Sequence, residues 1–336
     1  MALLGVEKYM QSMDIREKIK QPIEQEFQLF KQFYLQQFSS SVELLDSALK
    51  HVAQTSGKMM RPMLLLLAAK SCGRVADATY AAASALELLH TASLLHDDVV
   101  DESNMRRGEK SLNAVYSNRI AILTGDYLLS TSLYNVAQTK NNEIIEGLSQ
   151  LGRTLSAGEM LQLELQRTGG FCEQKYIDVI RNKTASLFAC CGRFGALSAG
   201  AEAAEVERFG RFGELLGMCF QIKDDIFDYF NSDIGKPTGS DIREGKVTLP
   251  ALYALKNSTD EKVHIIADKI GRALPLDDDE IQTLIEAAKS CGGIEYALAR
   301  IEEYKVEALA LLGDDIPEEC REALTAYLEY VISREK

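Results

Sequence analysis

The sequence contains no tryptophan and only six prolines among its 336 residues. Because proline breaks helices, long stretches of this chain can remain helical. No window approaches the roughly 20 consecutive apolar residues that span a bilayer. The first residues, MALLGVEKYMQSMDIREKIKQ, lack the uninterrupted apolar segment of a signal peptide. We therefore expect a mostly helical protein without a membrane span or a secretory leader.

Positive charge is also in short supply. The 37 lysines and arginines are outnumbered by 50 aspartates and glutamates, which gives a net charge of −13. A nucleic-acid scaffold needs a basic face, so we expect no nucleic-acid partner. Anionic ligands remain possible, because local cations or bound metal ions can reverse the field within one cleft.

Cysteine pairs with the CxxC spacing are absent, and the number of cysteines, seven, is odd. This usage predicts reduced, mostly buried thiols in a cytoplasmic protein rather than a disulfide framework. Hydrophobic residues make up 46% of the chain, enough for a sizeable core.

Helical periodicity recurs along the chain, whereas period-2 alternation and hairpin turns are weak. No linker or shift in composition divides the sequence. We therefore predict an all-α fold, a single-domain bundle of about ten or more helices over residues 1–336, with residues 1–20 as an N-terminal helical extension. The predicted helical segments are 22–50, 62–72, 77–101, 119–138, 143–166, 174–200, 203–230, 247–257, 278–290 and 294–312.

Two aspartate clusters carry the strongest chemical signal, and each continues an apolar helix. The clusters have the same spacing and comprise Asp97, Asp98 and Asp101, then Asp224, Asp225 and Asp228. Burying unpaired carboxylates is costly, so each cluster needs a compensating cation. Mg²⁺ is the natural one, because it binds one or two carboxylates and completes its shell with waters and substrate phosphates. No His/Cys cluster indicates zinc.

Four loops combine glycine or proline with cations, a composition typical of phosphate binding. They lie at residues 57–62, 106–108, 235–241 and 245–246. Each loop alone is a weak signal, and the 235–241 loop does not fit the GxxxxGK[ST] phosphate loop.

Taken in order, these motifs resemble the trans-polyprenyl diphosphate synthase family of long-chain type. The resemblance covers roughly residues 20 to 336 and rests on GKMMRP at 57–62, LLHDDVVDESNMRRG at 94–108, KT at 183–184, QIKDDIFD at 221–228 and GKPTGSD at 235–241, with Lys246. It implies the isoprenoid synthase fold around a central cavity. It also implies a Mg²⁺-dependent prenyltransferase that condenses isopentenyl diphosphate head-to-tail with an allylic diphosphate, acting as a homodimer.

The resemblance implies roles for individual residues. The two clusters would face each other and hold Mg²⁺, three ions per site, with Lys183 joining the aspartates in catalysis. Further contacts to the allylic diphosphate are implied for Arg106, Lys183, Thr184, Gln221, Lys236 and Lys246. The pocket for isopentenyl diphosphate would comprise Lys58, Arg61, His90 and Arg107. His90 lies two turns before Asp97 on the same helix face, whereas His96 lies off it and is interpreted as structural. The segment 333–336 resembles a basic tail that closes over this pocket.

Product length should depend on what blocks the cavity below the first cluster. Ala92 and Ser93 lie about one turn below Asp97, and both are small. The resemblance therefore implies long products of roughly C30 to C50, such as quinone side-chain precursors. A short-chain farnesyl or geranylgeranyl synthase is the alternative. Large residues on other helices could close the cavity deeper, and the candidates are Tyr127, Tyr134 and Leu148.

Two other readings of the clusters are open. A class I terpene cyclase would share one DDxxD motif but usually has a different metal motif in place of the second. A non-catalytic partner subunit of a hetero-oligomeric synthase would have lost one cluster. Because this chain has both clusters, a catalytic synthase is favoured.

Overall fold

The computed structural model describes residues 15–54, 57–230 and 238–334. Within these ranges nearly all regular structure is helical, and one short hairpin is the only sheet. The helices are α1 (15–20), α2 (Glu24–Leu35), α3 (Glu43–Gln54), α4 (Met60–Ser71), α5 (Asp77–Val100), α6 (Leu112–Val115), α7 (Asn118–Gln138), α8 (Asn142–Thr168), α9 (Glu173–Ile180), α10 (Ser186–Ala199), α11 (Ala203–Phe227), α12 (Ser240–Arg243), α13 (Leu249–Asn257), α14 (Glu261–Gly271), α15 (Asp278–Ser290), α16 (Gly293–Ala310) and α17 (Glu318–Ser333).

The predicted all-α fold class is confirmed. Four helices, α6, α12, α14 and α17, lie outside the predicted segments, and 174–200 was predicted as one helix. In the structure a π-helical turn at Arg181–Ala185 separates α9 from α10. Single-turn π insertions inside helices are frequent at functional sites, because they change the direction in which side chains point.

The buried apolar side chains form one continuous cluster that runs from Ile19 to Val331. Helix α5 lies in its middle and packs against α4, α7 and α10. Because its alanine and leucine side chains are distributed around the helix, α5 can be buried on all sides. From this single core we infer one domain. No helix in the described ranges is both long and apolar enough to cross a membrane.

Glycines bring α10 and α11 unusually close together. A Cβ atom on Gly192 would lie 2.0 Å from the carbonyl oxygen of Phe209, and one on Gly213 would lie 2.2 Å from that of Phe188. Any larger residue would push the helices apart. This close contact fixes the π-helical turn before α10 relative to the end of α11, which carries the second aspartate cluster.

The cysteines are all free, as predicted. Cys191, Cys219 and Cys320 are buried, whereas Cys172 is exposed. The prediction of mostly buried thiols holds for these three, and the others are exposed or half-buried.

Candidate active site

The first aspartate cluster stands at the C-terminal end of α5. Asp98 is buried and accepts three hydrogen bonds of 2.6–2.9 Å from the Arg106 guanidinium. Among the described residues, no hydrogen bond or ion pair engages the carboxylates of Asp97 and Asp101. Burial raises the pKa of Asp97 to about 6, and the charges of Glu159 and Asp101 add to the effect. A bound cation would relieve this crowding of negative charge.

The second cluster contains an aspartate that is held on both sides. Asp225 is buried, and its two oxygens accept hydrogen bonds from Tyr176 Oη at 2.7 Å and Gln221 Nε2 at 2.8 Å. Thr184 donates in turn to Gln221 Oε1 at 2.7 Å. Burial raises the pKa of Asp225, and the neighbouring Asp241 reinforces the shift. The predicted contacts Thr184 and Gln221 therefore form one network with Asp225.

The remaining two aspartates of this cluster have different partners. Asp228 accepts hydrogen bonds from the backbone and hydroxyl of Ser240 and from the backbone of Asp241, so it holds the start of α12. Asp224 Oδ1 lies 2.7 Å from Nη2 of Arg334, whose guanidinium stacks 3.9 Å from the Phe220 ring centre. The C-terminal Arg334 thus contacts the second cluster. Residues 335 and 336 of the predicted tail lie outside the described residues.

Two lysines interact electrostatically with the first cluster. Lys183 Nζ, on the π-helical turn, lies 2.6 Å from Glu159 Oε2 and 3.2 Å from Gln162 Oε1, and its charge acts on Asp97. Lys246 Nζ lies 2.5 Å from Glu244 and is also within the field of Asp101. The predicted Lys236 lies outside the described residues.

A hairpin positions the arginine pair. Strands β1 (Met105–Arg106) and β2 (Glu109–Lys110) are joined by the two residues Arg107 and Gly108, both with positive φ, at 54° and 84°. A two-residue turn in which both residues have positive φ matches the twist of the two strands that it joins. The turn directs Arg106 to Asp98. The Arg107 guanidinium packs on Gly57, and a Cβ atom added to Gly57 would lie 2.6 Å from Arg107 Nη1. A larger residue at position 57 would displace the Arg107 guanidinium from this position.

Lys58, Arg61 and His90, the other predicted pocket residues, lie near this pair. Lys58 Nζ donates to Tyr330 Oη at 3.1 Å, and Arg61 stacks 5.0 Å from the Phe188 ring centre. Burial holds the pKa of His90 well below its ordinary value, and the charges of Arg61 and Arg107 act in the same direction. His90 is therefore neutral at pH 7 and can donate one hydrogen bond to an anion.

A cavity of about 710 Å³ lies below the first cluster, between α5, α7 and α8. Ala92 and Ser93 line it, as the sequence analysis expected, together with leucines of all three helices. His96 also lines it, with its Nε2 3.4 Å from Asp126 Oδ1.

Of the proposed deeper obstructions, only Leu148 lines this cavity. Tyr134 is 65% exposed, and Tyr127 donates to the carbonyl oxygen of Ser39 at 3.4 Å. Both tyrosines face away from the cavity, so the proposal that either of them closes it is wrong. The periodicity of α7 could not show which of its faces turns toward α5.

The donor set fits Mg²⁺. Within the described ranges no group of three His, Cys, Asp or Glu side chains forms a ready-made metal cage. Asp97 and Asp101 present carboxylate oxygens without protein partners, and Asp224 lies in the second cluster. Mg²⁺ binds few protein carboxylates and keeps water and phosphate oxygens in its shell, so an incomplete set of hard oxygens suits it.

The sequence analysis missed several polar residues that support the site. They are Glu87, Glu159, Gln162, Tyr176, Tyr327 and Tyr330. Most are distant in sequence from the residues they contact, so no local pattern marks them. Glu87 is different, because it is the only charged residue between Asp77 and Asp97 and could have been noticed.

The chain has extensive similarity to known proteins. The polyprenyl synthetase family model matches residues 42–288. Octaprenyl diphosphate synthase of Escherichia coli (strain K12) is 34% identical over 329 residues, covering 95% of this chain and 99% of that protein.

Two solved structures are similar over nearly their whole length. A geranylgeranyl pyrophosphate synthase from Bacteroides thetaiotaomicron is 48% identical with a TM-score of 0.82, covering 96% of this chain and 100% of that one. A polyprenyl synthase from Caulobacter crescentus CB15, complexed with calcium and isoprenyl diphosphate, is 30% identical with a TM-score of 0.86. That match covers 95% of this chain and 98% of the other.

Proposed function

Because this chain belongs to the polyprenyl synthetase family, we propose that it condenses isopentenyl diphosphate head-to-tail with an allylic diphosphate. It is a prenyltransferase. The product is a long-chain all-trans polyprenyl diphosphate of roughly C30 to C50. The observation that carries the proposal is the continuity of three parts along α5: the arginine cations near His90, the acidic cluster at Asp97 and the leucine-lined cavity beside Ala92.

The reaction begins with ionisation of the allylic substrate. Its C–O bond breaks, the electron pair leaves with the diphosphate, and an allylic carbocation remains. Lys183 and Lys246, with Arg106, stabilise the negative charge on the departing oxygens. When bound, Mg²⁺ supplies further positive charge to the same oxygens. The apolar wall below the cluster excludes water that would capture the cation.

Condensation follows at the neighbouring pocket. Lys58, Arg61, His90 and Arg107 hold the diphosphate of isopentenyl diphosphate, and the double bond of that substrate attacks the allylic cation. A C–C bond forms and leaves a new carbocation. Loss of one proton restores an allylic diphosphate that is five carbons longer. We see no dedicated protein base, and the departing diphosphate is the proposed acceptor of the proton.

We assign direct metal contacts in the first cluster to Asp97 and Asp101, and in the second cluster Asp224 would have to share its carboxylate between a metal ion and Arg334. In each cluster the middle aspartate is engaged elsewhere, Asp98 by Arg106 and Asp225 by Tyr176 and Gln221. These two positions therefore orient the neighbouring side chains rather than offer free oxygens. Asp228 holds the α12 loop in the same way. The calcium in the Caulobacter crescentus complex is consistent with a divalent cation in this family.

The long-chain assignment rests on the size of the cavity and on relatives such as the octaprenyl synthase of Escherichia coli. The similar structure named a geranylgeranyl synthase points instead to a shorter product. We favour the long product, because Ala92 and Ser93 leave the cavity open one turn below the metal cluster. Measuring the length of the product decides between the long-chain and the short-chain assignment.

The function is tested by incubating the chain alone with labelled isopentenyl diphosphate, an allylic diphosphate and Mg²⁺. We expect diphosphate release and a prenyl product that needs both substrates. A chelator should abolish turnover, and chromatographic sizing should give the long product. Mg²⁺ and an allylic diphosphate analogue should together raise the melting temperature more than the sum of their separate effects, because they complete one site.

Three results would count against this function. Release of diphosphate from the allylic substrate alone, with a cyclic product, would indicate a terpene cyclase. No turnover without a second protein would indicate a partner subunit. Additive shifts of the melting temperature would indicate separate sites for metal and diphosphate.

We further propose a cytoplasmic homodimer. The outer face of α7 exposes Leu123 and Tyr134, each more than half accessible. Apolar side chains clustered on one helix face favour burial against a partner. All seven free cysteines agree with a reducing compartment. Sedimentation equilibrium should give a mass near twice the chain's 37.2 kDa, and a mass of one chain would exclude the dimer.

A further inference from the structure

The second aspartate cluster is in contact with a cation that the chain itself supplies. Arg334 follows α17 directly, and its Nη2 lies 2.7 Å from Asp224 Oδ1 and donates to the carbonyl oxygen of Phe220 at 2.9 Å. The guanidinium carbon lies 3.9 Å from the ring centre of Phe220 and 5.7 Å from that of Phe227. Asp224 and both phenylalanines belong to the last eight residues of α11. Arg334 therefore packs on the end of the helix that carries the cluster.

The hydrogen bonds of this arginine are incomplete. The Arg334 side chain is 16% exposed, and its Nε is buried without a hydrogen-bond partner among the described residues. A buried donor that lacks a partner is destabilising. The arginine is thus held by a charged contact and by aromatic stacking, while part of its capacity to donate stays unused. A stronger competitor for Asp224 can therefore displace it.

Mg²⁺ is such a competitor. A metal ion on Asp224 Oδ1 would bring a second cation to an oxygen that lies 2.7 Å from Arg334. Like charges this close repel each other strongly where the surroundings screen them less than water does. The metal carries twice the charge of a guanidinium, and a bound diphosphate supplies further oxygen ligands to it. The two cations therefore compete for one carboxylate.

The end of α17 allows Arg334 to move without unfolding the helix. Tyr327 and Val331 are buried in the core, and Tyr330 Oη accepts a hydrogen bond from Lys58 Nζ at 3.1 Å. The backbone N–H of Arg334 donates to the carbonyl oxygen of Tyr330 at 3.1 Å and closes the last turn. Release of Arg334 would therefore loosen this last turn, while the buried side chains keep the rest of the helix in place.

We propose that Arg334 is an autoinhibitory latch: it holds Asp224 until Mg²⁺, bound together with an allylic diphosphate, displaces it. The inference rests on the proposed metal site of the second cluster. It resolves the double demand on Asp224, because the carboxylate binds the arginine first and the metal afterwards. The latch lowers the affinity of the cluster for Mg²⁺ and offsets the repulsion among its carboxylates until the metal binds.

Substitution of Arg334 by glutamine distinguishes a latch from a substrate contact. Arg334→Gln keeps a polar side chain and removes the charge. A latch predicts tighter binding of Mg²⁺, because the competitor for Asp224 is gone. An arginine that binds the diphosphate of the substrate predicts weaker binding of the metal and diphosphate together. The direction of the change therefore decides between the two roles.

Calorimetric titration measures this binding without turnover. The protein is titrated with Mg²⁺ in the presence of excess allylic thiodiphosphate, whose C–S bond resists ionisation. We expect Mg²⁺ to bind about tenfold more tightly to Arg334→Gln than to the wild type, the effect of losing one charge-assisted hydrogen bond. Arg334→Lys keeps the charge but not the planar fork of donors, so its affinity should lie between the two.

Arg321→Gln is the matched control for the titration. Arg321 lies near the start of the same helix, α17, and pairs with Asp314. The substitution removes the same charge from this helix away from the second cluster. It should therefore leave the affinity for Mg²⁺ unchanged.

Hydrogen exchange at the end of α17 tests the displacement itself, because removing a nearby cation can raise metal affinity by charge alone. In the wild type, Mg²⁺ with the thiodiphosphate should speed exchange of the Arg334 amide, whose bond to Tyr330 closes the last turn. In Arg334→Gln the amide of residue 334 should exchange fast before metal is added, and the metal should change it little. Arg321→Gln should behave like the wild type.

Three outcomes would overturn the inference. One is unchanged or weaker binding of Mg²⁺ to a folded Arg334→Gln variant. Another is unchanged or slower exchange of the Arg334 amide when the wild type binds Mg²⁺, since the metal would then bind while the arginine stays in place. If Arg334→Gln does not fold, Arg334→Lys must bind Mg²⁺ more tightly than the wild type, and failure to do so rejects the latch.

Comparison of binding with turnover separates this inference from the proposed function. A wild-type protein that forms no prenyl product would reject the proposed function, whereas tighter Mg²⁺ binding to Arg334→Gln in the same preparation would still support the latch. A wild type that forms the product, with equal Mg²⁺ affinity in the variant, would reject the latch alone.

Discussion

Replacing Asp97 by asparagine is expected to lower kcat about 10²–10³-fold, the usual cost of losing one group that stabilises developing charge. Asp97 is a better position for this test than Asp224, the first aspartate of the second cluster. Asp224→Asn would also remove the partner of Arg334 at 2.7 Å, so its effects would mix metal binding with the position of the C-terminal helix. Turnover at saturating Mg²⁺ is the measurement.

The same variant should melt at a higher temperature than the wild type in the absence of metal. The pKa of Asp97 is raised from 3.8 to about 6 in the folded protein, chiefly by burial. Folding therefore favours the protonated form, and this contribution to stability is lost as the pH rises through 6. At pH 7 the neutral asparagine avoids that loss of stability. The difference in melting temperature between variant and wild type should shrink below about pH 4.

Asp279→Asn is the matched control, because Asp279 is an exposed carboxylate in the first turn of α15. It should leave kcat unchanged. Near-normal turnover of Asp97→Asn would show that the metal assignment is wrong. A collapse of its melting temperature would show that the first cluster holds the fold together rather than a metal.

A phenylalanine at position 92 should shorten the product to about C15 or C20. Each condensation moves the growing chain deeper while the diphosphate stays near Asp97. Ala92 lines the cavity five residues, or about 7.5 Å along the helix, below that residue, so a ring there stops growth after few additions. The first condensation should proceed at a similar rate, because the change touches no diphosphate contact. Chromatographic sizing of labelled products measures the effect.

The variant needs a control for overpacking, which typically costs about 1–3 kcal/mol. Ala287 is 8% exposed on α15 and does not line the cavity. Ala287→Phe should lower stability to a similar extent and leave the product long. If Ala92→Phe is folded and active yet makes the wild-type length, the chain does not grow along this face of α5. The long-chain assignment would then lose its structural basis.

The two aspartate clusters could be recognised in the sequence because their information is local. Residues four apart lie on one helix face, so the spacing alone indicates that Asp97 and Asp101 are neighbours. Ser93 follows by the same rule, with Ala92 as its neighbour, and the structure places both at the cavity. The family resemblance rests on short motifs of this kind, which is why the fold class and the reaction could be inferred before any coordinates.

Contacts between distant segments could not be recognised in this way. Tyr176 and Asp225 are separated by 49 residues and share a hydrogen bond of 2.7 Å, and no periodicity links them. The π-helical turn at Lys183 interrupts a segment whose periodicity predicts one continuous helix. The outward orientation of Tyr127 and Tyr134 depends on which face of α7 meets α5.

Sequence by itself determined that this protein is helical, that it carries two acidic clusters with cationic loops, and which reaction such a set resembles. Only the tertiary structure showed that Asp98 is bound by Arg106 and that Asp225 is bound by Tyr176 and Gln221. It also revealed that the Glu87 carboxylate on α5 is buried. The physical reason is that helix periodicity encodes neighbours within one element. The pairing of buried polar groups depends on packing between elements that the chain brings together only on folding.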